Sequence, residues 1–298
     1  VLAAVQENGV ALRYASAELQ AERDIVLAAV NRRGRFLRCA SAVFQADKDV
    51  VLAAVKEDGY CLLYASAELR ADRDVVLVAV KSDGLALRYA SVELQADRDI
   101  VLVALDTRGG ALRYASTELR ADKDIVLAAV ACYPPAMEVA STELQADRDF
   151  VLAAAKVNGL CLQYASAEFR ADRDVVLVAL ASDGDALEFA SERLRAEREV
   201  VLAAISNAMG SWQILRYASE ELRGDREVVL AAVRRGAGAA LRDASEELRR
   251  DRGFVLEVVG KDGMGFKYAS QKLQEDREVA LEAVKESFYA FGHVSEEL

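Results

Sequence analysis

The chain repeats itself every 25 residues, and a fixed period restricts the fold more tightly than any local pattern, because every copy must solve the same packing problem. The recurring Val-Leu pair stands at residues 1, 26, 51, 76, 101, 126, 151, 176 and 201 without an insertion. Three extra residues enter before Val229-Leu230, one more before Val255-Leu256, and a partial unit runs from Ala280 to Leu298. About twelve units follow, beginning near 1, 26, 51, 76, 101, 126, 151, 176, 201, 229, 255 and 280.

Within the fourth unit, Asp72 to Lys81 reads as a helix opened by an acidic cap, whose carboxylate can accept from the first unpaired amides. Val75, Val76, Ala79 and Val80 share the face expected for a period of 3.6. Gly84 is expected to end that helix in a left-handed conformation. Leu85 to Ala90 follows as a short second helix that buries Leu87 and Tyr89 or Ala90. Ser91, at a slot that holds serine in all twelve units, is placed to cap one more helical turn. Helices this short do not persist alone in water, so each must bury its apolar stripe against neighbouring units. The expected fold is therefore all-α, an α-solenoid of about twelve helical hairpins in one elongated array. The chain starts and stops inside helices without polar-faced capping units, so an excerpt of a longer array is expected.

A leucine-rich repeat also spans 20 to 29 residues, but it needs a strand of alternating leucines and a recurring asparagine, and neither occurs here. No apolar run approaches the roughly 20 residues that a bilayer requires. A formal charge of -11 opposes binding to nucleic acid and to anionic membranes, both of which need a basic face. Cys39, Cys61, Cys132 and Cys161 form no CxxC pair, which points to free thiols in a reducing compartment, cytoplasm or organelle interior.

The consensus Gly-x-Ala-Leu-x-Tyr-Ala-Ser-x-Glu-Leu-x-x-Asp-Arg-Asp/Glu-Val-Val-Leu-x-Ala-Val is clean from Gly59 to Val80 and from Gly84 to Val103. It resembles the tandem-repeat family known as domain of unknown function 4116, from end to end of the chain. The resemblance implies a repeated fold and carries no catalytic or binding residue. The chain departs from the pattern at Cys39 for tyrosine, at Pro134 for glycine, and across Met209 to Ile214.

Residues that recur in every unit are read as structural: Leu2, Leu27 and Leu52 as packing, and triplets such as Asp97-Arg98-Asp99 as caps and ion pairs between helices. His293, in a tyrosine slot, is read as a substituted packing residue, and Asp243, in another, as marking a loosened, hydrated unit. No catalytic motif, metal-ligand spacing or nucleotide fingerprint is present, so no cofactor is expected and a non-enzyme is favoured. Function is expected where units differ. One such place is the turn of the sixth unit, with Tyr133, Pro134 and Pro135. Another is the enlarged turn of the ninth, with Met209, Trp212 and Ile214. A third is the outward slot of the second helix, basic at Arg13, Arg38, Arg88 and Arg113, acidic at Glu138 and Glu188, and basic again from Arg216. The expected role is a scaffold for protein partners. An architectural linker or peripheral subunit of a large organellar or photosynthetic assembly is the first alternative, and a single-stranded RNA reader the second.

Overall fold

The computed structural model describes residues 5, 11, 14, 16–208, 213–236 and 238–293; Arg13, Met209 and Trp212 lie outside them. The chain divides into two compact units, Val1–Asp147 and Arg148–Leu298. Each is an all-α solenoid of the same repeat, with no strand among the described residues. The repeat has three helical pieces, and the fourth shows them plainly: an α-helix at Arg73–Ser82, a 3-10 helix at Gly84–Tyr89 and a short α-helix at Val92–Gln95. None of the described helices is long and apolar enough to cross a membrane.

The ten-residue helix begins where Asp72 accepts hydrogen bonds from the amides of Asp74 and Val75, at 3.0 and 3.1 Å, which satisfies two donors that the helix itself cannot. Val75, Val76, Ala79 and Val80 are fully buried. The conspicuous leucine of the repeat is not part of that core. Leu27, Leu52 and Leu77 are half-buried and Leu102 is 37% exposed, because the leucine directly follows the buried pair and lies on the outer face of the helix. His293 is likewise exposed rather than packed.

The second element is a six-residue 3-10 helix, not an α-helix. Its third and fourth residues, Ala86 and Leu87, and the alanine that follows it, Ala90, are buried, whereas Tyr89 is half-buried. Its first residue corrects a second expectation: none of the described glycines has a left-handed backbone. Asp83 is extended, with φ -149°, and Gly84 simply starts the 3-10 helix. Glycine is needed there for room. A Cβ on Gly84 would stand 2.1 Å from the carbonyl oxygen of Ala104 in the next repeat, and the same overlap recurs at Gly59 with Ala79 and at Gly159 with Ala179. Nor does Pro134 forbid a left-handed cap, since none exists. It begins the 3-10 helix Pro134–Val139 at a position where a missing amide hydrogen removes no helical bond.

Two further ties join successive repeats inside each unit. The amide of the capping serine donates to the last carbonyl of the preceding short helix, as from Ser91 to Arg70 at 2.9 Å and from Ser245 to Arg223 at 2.8 Å. Meanwhile the cation that opens each ten-residue helix grips the two acids that open the next. Lys48 lies 2.7 Å from Asp72 and 3.3 Å from Asp74, Arg73 lies 3.2 Å from Asp97 and 3.1 Å from Asp99, and Arg148 lies 2.8 Å from Asp172. The hydrogen bond from Lys48 is the largest influence on Asp72 and, with the amide donors, holds its carboxyl below the ordinary range; Arg148 does the same for Asp172 and Arg252 for Asp276.

Because these carboxyls ionise more readily when folded than when unfolded, the stability they add is present above about pH 4 and is lost as the pH falls through their folded values. Urea midpoints are expected to stay level from pH 7 to 5 and to drop below about pH 4; a level profile down to pH 3 contradicts the ladder's contribution. Gly84→Ala is expected to cost about 2–4 kcal/mol by the same measurement, because backbone of the next repeat must move. Gly253→Ala, whose Cβ would meet only a carboxylate oxygen of Asp251 at 3.4 Å, is expected to stay within about 1 kcal/mol of the parent or to stabilise.

Candidate binding cleft

Several repeats lack the residue that caps the 3-10 helix in others, and two of them, the fifth and sixth, are adjacent. In the third, fourth and seventh repeats an acid or amide stands just before the glycine and accepts from the amide two positions on, as from Tyr60 to Asp58, from Leu85 to Asp83 and from Leu160 to Asn158, at 3.0 to 3.2 Å, whereas Arg33 of the second repeat makes no such cap. The fifth and sixth repeats place Arg108 and Tyr133 there, and neither side chain caps its helix. In the sixth repeat the amide to be capped belongs to Pro135 and has no hydrogen, so acceptor and donor are lost together. In the fifth, by analogy with α-helix caps, the exchange costs about 0.5–2 kcal/mol.

Arg108 and Tyr133 border one cleft of about 420 Å³. Its floor is the 3-10 helix Gly109–Tyr114, and Leu85 of the fourth repeat and Cys132 of the sixth complete the sides. Gly110 makes the recess. It occupies the slot held by Tyr60, Leu85 and Leu160 in other repeats, and a Cβ there would meet the Tyr133 ring at 3.5 Å. Gly109 lets the sixth helix close in, since its Cβ would stand 2.6 Å from the Tyr133 Cβ and 2.7 Å from the Cys132 sulfur.

The polar groups are unevenly free. Thr107 is occupied, donating to the carbonyls of Val80 and Ala104 at 3.1 and 3.0 Å. Arg108 has its Nε 3.8 Å from a carboxylate oxygen of Asp83, and Arg113 and Asp106 are exposed at the rim. Two guanidinium groups, one carboxylate and the rings of Tyr114 and Tyr133 suit reversible recognition of an acidic or aromatic side chain. Cys132 has three backbone carbonyls near its sulfur, from Ala129 at 3.5 Å, Leu105 at 3.7 Å and Ala128 at 4.0 Å, and the residues that line the cleft include no histidine. Among the described residues no group of His, Cys, Asp and Glu is placed to hold a metal ion.

The cleft thus brings together two features singled out from the sequence, Tyr133 of the sixth turn and Arg113 of the outward slot. Pro134 and Pro135 are half-buried beside it. Arg38, Arg88, Glu138 and Glu188 are exposed at the slot equivalent to Arg113, and Arg88 lies 5.7 Å from the centre of the Tyr89 ring. Ile214 is corrected: it is 2% exposed at the start of the 3-10 helix Ile214–Tyr217 and belongs to the core, because it takes the slot of the buried Ala86. Asp243 is 13% exposed, with Arg242 against one carboxylate oxygen at 3.4 Å. Arg108 and Gly110 were not anticipated. Of the two, Gly110 is the one that aligning repeats slot by slot shows, as a glycine at a slot that holds Tyr60, Leu85 and Leu160 in other repeats, whereas the slot of Arg108 also holds Arg33.

A model of the family described as Domain of unknown function (DUF4116) matches residues 1–45, 47–95, 97–145, 122–170, 147–195, 172–212, 197–249 and 251–298. No curated protein and no solved structure matches the chain.

The four thiols differ in environment. Cys132 is exposed and Cys39 half-buried, whereas burial pushes the thiols of Cys61 and Cys161 up to about 12. With iodoacetamide at pH 8, mass spectrometry is expected to find Cys132 modified first and Cys61 and Cys161 spared until the protein is unfolded. Equal labelling of all four in the folded protein contradicts this packing.

Proposed function

Because the chain belongs to the family described as a domain of unknown function (DUF4116), whose description names no activity, we propose from its own residues that it is a non-catalytic scaffold for protein partners. One observation carries this reading: a cleft with aromatic walls and a cationic rim opens where Gly110 leaves room beneath Tyr133 and where Arg108 and Tyr133 stand side by side at slots that elsewhere include capping acids. A contact surface built on variable residues of a repeated frame is the arrangement expected of a recognition site. Arg and Tyr are also the residue types that anchor protein interfaces most often.

The outward slot adds charge selection. In the first unit it is basic at Arg38, Arg88 and Arg113 and acidic at Glu138, all exposed, so a partner lying along the 3-10 helices meets a change of sign at the cleft. An acidic or aromatic partner segment is the one that this edge accommodates.

The test is capture of partners from an extract of the protein's native source, using the parent chain and an Arg108→Asp, Tyr133→Ala variant. The aspartate restores the residue used by neighbouring repeats, so the fold is retained and thermal melting moves by no more than a few degrees. Partner recovery is expected to fall at least about tenfold, in line with removal of two anchor side chains. Unchanged recovery refutes the cleft as an interface and favours the architectural role.

A further inference from the structure

A second and larger cleft, about 650 Å³, lies in the second unit between the short helices Glu246–Arg250 and Gln271–Gln274. Its lining holds four basic side chains, Arg249, Arg250, Arg252 and Lys272, against the acids Glu246 and Asp276, an excess of two positive charges. Glu278, outside the lining, also pairs with Arg252, which leaves one net positive charge at this place in a chain that carries -11 overall.

Both acids are already engaged. Glu246 is held by Arg250, and Asp276 is 2.8 Å from Arg252 while also accepting from the amides of Glu278 and Val279 at 3.0 and 3.2 Å. Two cations remain over. Neither Arg249 nor Lys272 has an ion-pair partner among the described residues; the buried Nε of Arg249 has no hydrogen-bond partner there, as is also true of Arg70, Arg120, Arg170, Arg195 and Arg223 at the same slot, so Lys272 is the cation peculiar to this cleft.

Comparison between repeats shows that the cleft is a departure from the pattern. The slot of Lys272 is glutamate at Glu68, Glu93, Glu118, Glu143 and Glu168, and the slot of Arg250 is alanine in the first eight repeats. Where the glutamate is present it bonds with the capping serine, as Glu68 does with Ser66 and Glu93 with Ser91. Lysine cannot accept that bond. The Ser270 hydroxyl, moreover, makes no capping contact to the amide three residues on, unlike Ser66, Ser91, Ser116 and Ser141. A guanidinium, an ammonium and a hydroxyl are therefore left as donors in one recess.

We propose that this cleft binds a phosphate monoester dianion, the group carried by a phosphorylated side chain. Two negative charges match the two cations that lack an ion-pair partner, Arg249 and Lys272, and the Ser270 hydroxyl lines the same cleft as a further donor to the dianion's oxygens. A carboxylate supplies only half that charge. A long polyanion would have to lie against the acidic remainder of the chain. The volume lies within the about 300–1,000 Å³ usual for small-ligand sites, so the ester's carrier has room to enter with it.

The test titrates the full chain with O-phosphoserine and, separately, with inorganic phosphate, by calorimetry at constant ionic strength. Two variants install residues that the same slots hold in other repeats, Lys272→Glu as in Glu68 and Arg249→Gln as in Gln95, so both are expected to melt cooperatively like the parent. Saturable binding to the parent is expected, weakened about tenfold or more in each variant as a charge-assisted contact is removed. Tighter binding of phosphoserine identifies a phosphorylated side chain as the source, and equal or tighter binding of inorganic phosphate identifies the free anion; either supports the site. Absence of saturable binding of both probes to the parent overturns it, as does binding that survives unchanged in the double variant.

Discussion

The Cα of Gly84 rests so close to the carbonyl oxygen of Ala104 that no side-chain carbon fits between them, and the same contact is repeated from Gly59 to Ala79 and from Gly159 to Ala179. This approach sets the distance and register between one repeat's 3-10 helix and the next repeat's ten-residue helix. With that spacing held, the buried quartet Val75, Val76, Ala79 and Val80 meets its counterpart Ile100, Val101, Ala104 and Leu105, and the opening Arg73 reaches Asp97 and Asp99. Small residues at the glycine and alanine slots are thus a condition for the polar ladder as well as for the core.

Stability is distributed in small, repeated amounts. A cap by Asp72, a serine amide bonded across repeats and a half-exposed ion pair each contribute on the order of 1 kcal/mol or less. Because every repeat carries its own set, one repeat can give up a member and keep its fold. The fifth repeat does so at Arg108 and the eleventh at Lys272, and each loss lies at the wall of a cleft. A redundant frame of this kind lets single repeats acquire binding chemistry independently.

Two residues of the candidate site, Tyr133 and Arg113, were singled out from the sequence, and the reason for each miss is specific. Tyr133 and Arg113 stood out as variable residues at slots read as exposed, and the structure places both at the first cleft. Arg108 did not stand out, since a cation in a turn is unremarkable until the slot is known to hold a capping acid whose oxygen accepts at 3.0 Å in the neighbouring repeat. Gly110 did not stand out either, because its effect is an absence of volume beneath the Tyr133 ring. Ile214 misled because it sits next to an inserted segment, and adjacency along the chain does not tell which way a side chain faces.

From the sequence alone follow the period, the all-α class, the four-residue buried stripe of each long helix, and the acidic and serine caps, because these depend on local hydrogen bonding and on which residues recur at helical spacing. Only the tertiary structure decided that the middle element is a 3-10 helix, that its glycine serves contact rather than a left-handed turn, and that the recurring leucine sits half-exposed outside the core. These depend on what the next repeat brings within a few ångströms, and a pattern read along one chain segment does not contain the distance to another.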